Sequence, residues 1–207
     1  GSNRFFARYS YQKTHRLQPA SLPHGDAGFT FGAGDGNIKG QSFAFNDTHT
    51  LSSNWLNEFR FGWSSIKFNM TPIDYLTNPA NAVGLPGINL NDSTSAMTQL
   101  SFGTGAGDIR ALGANSNQPL ITNQNDFQIF DNVTWIKGRH TVKFGGEAWL
   151  RRLFDVSQDG RNGGDFRFNG NSTGNAAADF LLGYVSDRFR FRDSSYKSNN
   201  QWAFYGF

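Results

Sequence analysis

Polar and apolar positions alternate along several stretches of this chain, and that alternation predicts β-strands with two unlike faces. The clearest stretch runs from Asp126 to Arg152, DFQIFDNVTWIKGRHTVKFGGEAWLRR. In its first arm Phe127, Ile129, Val133 and Trp135 point one way, with Asp131 interrupting. Gln128, Asn132 and Thr134 point the other way, with Phe130 as the exception. Lys137, Gly138 and Arg139 form a tight connection in which Gly138 is free to take a positive φ. The return arm places Val142, Phe144, Ala148 and Leu150 on one face. Lys143, Glu147 and Arg151 lie on the other, with Trp149 among them. A short turn between two long, two-faced strands is the repeating unit of an antiparallel barrel or sandwich.

The same period recurs upstream. Arg4 to Gln12 reads as a first strand, with Phe5, Ala7, Tyr9 and Tyr11 on one face. From Leu17 to Gly40 the pattern dissolves into Pro, Gly, Asp and Asn, the composition of a loop. Gln41 to Leu51 is a second strand and Ser52-Ser53-Asn54 a tight turn. Trp55 to Phe68 is a third, setting Trp55, Phe59, Phe61 and Trp63 against Glu58, Arg60, Gly62 and Ser64. Thr71 to Gln124 then reads as one very long connection, holding Pro72, Pro79, Pro86 and Pro119 and a glycine-rich run from Gly103 to Gly107. Loops of that length often carry function, and Val83 to Leu90 is apolar enough to pack locally. After the central hairpin, Asp155 to Ser172 is again loop-like around a short strand, Asp165 to Phe168. Asn175 to Leu182 suits a short helix capped by Thr173 or Asn175. Arg188 to Arg192 alternates Arg with Phe, and Gln201 to Phe207 is a last strand. The pattern leaves open whether Arg188 begins that strand or a separate one.

The hairpin also carries a resemblance. Asp131-Asn132-Val133-Thr134-Trp135 and Gly138-Arg139-His140-Thr141-Val142-Lys143-Phe144-Gly145-Gly146-Glu147 resemble the barrel of TonB-dependent outer-membrane receptors, and most closely their Oar-like group. Asn57-Glu58-Phe59-Arg60-Phe61-Gly62 resembles the same group, as does Thr173-Gly174-Asn175 running into Ala178-Asp179-Phe180-Leu181-Leu182-Gly183. The resemblance covers most of the chain and implies a section of a barrel of about 22 strands enclosing a plug. It implies import of a scarce nutrient or large substrate, energised by the TonB complex through a part outside this chain. It identifies no cargo and carries over no ligand-contacting residue. No plug sequence and no TonB-contacting segment is recognisable within residues 1–207.

Composition changes this picture little. The 207 residues suffice for one domain or a small barrel. Aromatics at 15% with hydrophobic residues at only 37% and 24 glycines suit an all-β chain with long polar loops. A net charge of +3, scattered along the chain, gives no reason to expect a nucleic-acid partner. Aromatic residues beside Arg, at Arg4 to Tyr11 and Arg188 to Arg192, are accounted for by strand alternation rather than a base-stacking platform. No run approaches the roughly 20 apolar residues of a membrane helix. Gly1-Ser2-Asn3-Arg4 lacks the pattern of an export signal, as in a chain that starts within a longer protein or has lost its signal.

Candidate chemistry is sparse. Without cysteine there is no thiol catalysis, disulfide or cysteine-bound zinc. His15, His24, His49 and His140 form no helical pair for a metal, and no serine sits in a nucleophile elbow. Gly32-Ala33-Gly34-Asp35-Gly36 has no following helix to cradle a phosphate. The Asp and Gly positions of 155–172 match neither calcium-loop spacing. Glu58 and Glu147 on one wall suit glycoside hydrolysis less well than paired charges along a wet interior. No enzyme, metal or cofactor is expected.

Three functions need strands with one apolar face: a section of an outer-membrane transporter barrel, a complete small outer-membrane pore, and a soluble β-sandwich binding carbohydrate or protein. Long and short connections alternate here, which puts all long loops at one end, as in outer-membrane barrels. The reading is therefore an all-β antiparallel transmembrane barrel section in the bacterial outer membrane, with strands near the 9–11 residues of a tilted crossing. Trp55, Phe59, Phe61, Trp63, Phe127, Ile129, Val133, Trp135, Val142 and Phe144 are expected to face membrane lipid. Glu58, Arg60, Lys143, Glu147 and Arg151 are expected to face the lumen.

Overall fold

A computed structural model of the chain describes residues 2–20, 34–103, 109–115, 118–156, 163–190 and 197–207. Six long strands make one antiparallel sheet: β1 (Ser2–Gln18), β2 (Gly34–Ser52), β3 (Trp55–Pro72), β5 (Leu120–Lys137), β6 (His140–Asp155) and β9 (Lys197–Gly206), hydrogen-bonded in that order. A second sheet of three short strands, β4 (Gln99–Phe102), β7 (Asp165–Phe168) and β8 (Asp187–Phe189), is built inside the long connections. With it go the helices α1 (Pro79–Ala82) and α2 (Ala176–Leu182) and a 3₁₀ turn at Asp92–Thr94.

Turn chemistry fixes the two tight hairpins. Lys137 pairs with His140, so Gly138 and Arg139 alone make the bend. Gly138 has φ +64°, which the first central residue of a type II′ hairpin requires. At the other bend Ser52 pairs with Trp55, and the register slips between Thr50 and Ser52. That slip is a bulge, which absorbs the twist that a turn without positive φ leaves.

The strands are longer than the alternation suggests. β1 to β3, β5 and β6 run 16 to 19 residues, well past a bilayer crossing. β1 continues to Gln18 and β2 starts at Gly34, so the loop expected over 17–40 is shorter, and Gly34 to Gly36 lie in strand. Polar contacts accompany this extension: Asp35 Oδ1 lies 2.9 Å from His15 Nε2 across the strands and accepts from Asn37 Nδ2 of its own strand at 2.9 Å. Gly34 is needed there because a side chain would collide with the Thr71 carbonyl of β3.

The expected 71–124 connection is also corrected. β3 ends at Pro72 and β5 begins at Leu120, and the stretch between them is structured. Asn89 knots it together, accepting from the Ala80 N–H at 3.0 Å and donating to the carbonyls of Thr94 and Ala96 at 2.6 and 2.9 Å. β4 pairs in parallel with β7, and β7 antiparallel with β8, so Arg188 belongs to a separate strand. Phe102, Phe168 and Phe180 close a small core, with centroids 5.2 to 5.9 Å apart. The α2 helix starts as its sequence predicts. Asn175 Oδ1 caps it, accepting from Ala177 N at 2.9 Å and Ala178 N at 3.1 Å. The final strand begins earlier than expected, at Lys197. Residues Gly32, Ala33, Gly105, Gly107, Phe191 and Arg192, and 157–162 of the calcium candidate, lie outside the described residues.

Candidate functional site

Residues paired across an antiparallel ladder share a face, so the register sorts the large sheet into rows. Phe43, Trp63, Phe127, Leu150 and Trp202 form one row. Phe45, Phe61, Ile129, Ala148 and Phe204 form the next. Asn57, Val133 and Phe144 follow two rows on, and Trp55, Trp135 and Val142 end the face beside the two tight turns. All ten residues expected on the apolar face therefore lie on one face. At its turn end Trp55 and Trp135 stack with centroids 5.4 Å apart, and Phe144 meets Trp55 edge-on at 6.4 Å. Such pairs add about 0.5–1.5 kcal/mol beyond their burial.

The interrupting Asp131 sits opposite Phe59 on this same face. It stays exposed and accepts from Asn57 Nδ2 at 2.7 Å. Asp47 flanks Phe59 from the other side, a second carboxylate in that row that the alternation did not single out.

The five residues expected on the polar face share the opposite face. Glu58 lies 3.7 Å from Arg60 and 3.8 Å from Lys143. Glu147 accepts from Gln128 at 2.5 Å, and Arg151 reaches Asp126 at 3.0 Å. Each carboxylate is thus engaged by a partner. Partly exposed pairs of this kind stabilise by about 0–1 kcal/mol, so their work is to line the wall with fixed charge. The two aromatic exceptions now have a reason. The Arg60 guanidinium covers Phe130 at 5.4 Å and that of Arg151 covers Trp149 at 4.6 Å.

A second place of interest lies in the small-sheet region. A cavity of about 620 Å³ opens between the 84–88 turn and β8, lined by Leu85, Ile88, Phe166, Arg188, Phe189 and Arg190 among others. The sequence flagged the Arg–Phe alternation here but not the pocket, because Leu85 and Ile88 come from a different connection. Of the acidic calcium candidates, Asp165 accepts from Ser101 Oγ and Arg167 Nε, each at 3.0 Å. Asp155 accepts from Thr122 Oγ1 at 3.3 Å.

Connections alternate without exception. β1–β2, β3–β5 and β6–β9 are joined through long segments, while β2–β3 and β5–β6 are joined by tight turns. Among the described residues no strand of the large sheet makes an extensive contact with a strand of the small one, and Phe144 and Ile129 each keep 46% of their surface. This removes the sandwich, which needs a second sheet over the apolar face. A two-faced antiparallel sheet with an aromatic edge, tight turns at one end and long connections at the other is the architecture of an outer-membrane barrel wall. The chain matches the outer membrane beta barrel domain model over residues 1–207, and it belongs to that family. Its place is the bacterial outer membrane. No curated protein and no solved structure matches it.

Proposed function

We propose that this chain is a section of a TonB-dependent transporter barrel of the Oar-like kind, importing a scarce nutrient or large substrate. The supporting observation is the register: ten apolar residues share one face while Glu58, Arg60, Lys143, Glu147 and Arg151 share the other. In this reading the apolar face meets lipid and the charged face lines a lumen that a plug fills, both plug and TonB contact lying in sequence outside these residues. Among the described residues the large sheet has six strands, against about eight in the smallest bacterial barrels, which supports the transporter-barrel reading over the small pore. The long connections face outward and meet cargo first, and the tight turns face the periplasm.

Uptake by cells carrying the whole protein tests transport: it should stop when the TonB complex is deleted, and uptake that continues would refute energised import. Orientation is tested by trypsin on intact cells. Cleavage should fall in the long connections, at residues such as Arg110 and Arg188, and spare Lys137 and Arg139. Cleavage confined to Lys137 or Arg139 would invert the topology. Discrete channels formed by residues 1–207 alone in planar bilayers would favour the small pore.

A further inference from the structure

We infer that the cavity between the 84–88 turn and β8 is a binding site for an organic anion with an apolar body. The cavity, about 620 Å³, falls in the size range of small-molecule sites, roughly 300–1,000 Å³. Leu85, Ile88 and Phe166 supply apolar wall. Arg188 stands beside Phe166 in the ladder, on the same face of the small sheet. Arg190 follows two positions on, and both line the cavity. The Arg190 guanidinium lies over Gly87, where a methyl group would stand 3.9 Å from Nη1. Gly87 follows Pro86 and has φ +77°, so the turn that floors the cavity carries no side chain there.

What marks the site is a pair of exposed arginines that have no carboxylate partner among the described residues. Arg167, one strand away, is held by Asp165 at 3.0 Å. Asp165 is thereby committed, and Asp179 is committed to Thr173. Asp187 pairs in register with Arg167, on the face opposite Arg188. Among the described residues, neither Arg188 nor Arg190 has a carboxylate within ion-pair distance. Both arginines are exposed, so water screens their charge in the empty site, and what the segment offers is two cationic forks at alternate positions beside an apolar wall. Their planar forks match a carboxylate, phosphate or sulfonate, while the Phe and aliphatic walls take up a ring or short chain. A neutral ligand would fill the walls and gain nothing from the two guanidiniums.

This assignment deepens the proposed function, because it rests on the reading that the long connections receive cargo. Its test is separable from transport. The whole barrel protein, purified in a non-ionic detergent, is titrated calorimetrically with naphthoate and with the neutral naphthylmethanol. Naphthoate should bind the wild type, and R188Q/R190Q should weaken it about tenfold or more, as loss of charge-assisted bonds implies. Naphthylmethanol should bind both proteins weakly and alike. Equal affinity for the two probes, naphthoate binding unchanged in R188Q/R190Q, or no binding of naphthoate at concentrations on the order of 1 mM would overturn the site. An unchanged heat-dependent gel shift shows that the variant barrel is folded. If binding behaves as expected but uptake is indifferent to TonB, the transport reading fails and the site stands. If uptake needs TonB but binding ignores the arginines, the site alone fails.

Discussion

The large sheet and the small-sheet cap come from one chain and use the same ladders, but they dispose of apolar side chains in opposite ways. In the cap, Phe102 and Phe168 are 6% and 4% exposed, and Ala80, Ile88, Ala96 and Ala114 are buried with them. Among the described residues of the wall no comparable core exists: Trp55, Ile129, Val142 and Phe144 all stay exposed. Buried polar groups occur in both regions, Ser65 and Asn132 among them in the wall. Asp165 and Asp179 are sealed inside the cap, whereas Arg60 and Lys143 of the wall stay open to solvent. The cap satisfies the hydrophobic effect within itself, as a water-soluble domain does. The wall leaves its apolar side chains to its surroundings, as the strands of an outer-membrane barrel do.

That contrast can be broken most sharply in the cap. Phe168→Ala removes the ring touching both Phe102 and Phe180 and should cost about 3–5 kcal/mol of local stability. Trypsin should then cut near Arg188 far faster, while the heat-dependent gel shift of the barrel stays in place. Loss of that shift together with the cap would make the two regions one cooperative unit. In the wall, Phe61→Arg should cost roughly 2–4 kcal/mol if it lies near the bilayer midplane. Gln128→Arg, on the opposite face, should cost much less. Denaturant unfolding in liposomes compares them, and equal costs would mean that the faces are wrongly assigned. Asn175→Ala should remove about 1 kcal/mol by uncapping α2. Hydrogen exchange would register it at Ala177 and Ala178, with no change in β5 and β6.

The smallest effect shows only in acid. The Thr173 hydroxyl, opposed by burial and helped by backbone N–H groups of Ser172, Thr173 and Gly170, holds the Asp179 carboxyl below the ordinary aspartate range. A depressed folded value means that its stabilisation is present above the unfolded value and is lost as pH falls through the folded one. The 170–183 segment should therefore loosen below about pH 4, and Asp179→Asn should remove that dependence. An acid transition unchanged in Asp179→Asn would assign it to another group.

Much of the wall was legible because period-two alternation reports which side chains share a face. Phe59, Phe61 and Trp63 against Glu58 and Arg60 needed nothing beyond that pattern. The strand ends were illegible for the same reason. At Thr14, His15, Arg16, Asp35 and Asn37 both faces are polar, so alternation stops while backbone pairing continues. The Asn175 cap was readable because capping is local. The pairing of Gln99–Phe102 with Asp165–Phe168 was not, since nothing within either segment names a partner so distant in sequence. The cavity shares that difficulty, with its arginines on one connection and its turn on another.

That parallel pairing has a consequence for motion. β4 lies on the connection that joins β3 to β5, and β7 on the one that joins β6 to β9. Four residues of each are hydrogen-bonded together, and Phe180 seals the joint through Phe102 and Phe168. Two segments that enter and leave the sheet at different strands are thereby clasped into one body. Neither can swing aside alone, so any opening above this part of the wall must either carry both connections together or first unzip β4 from β7.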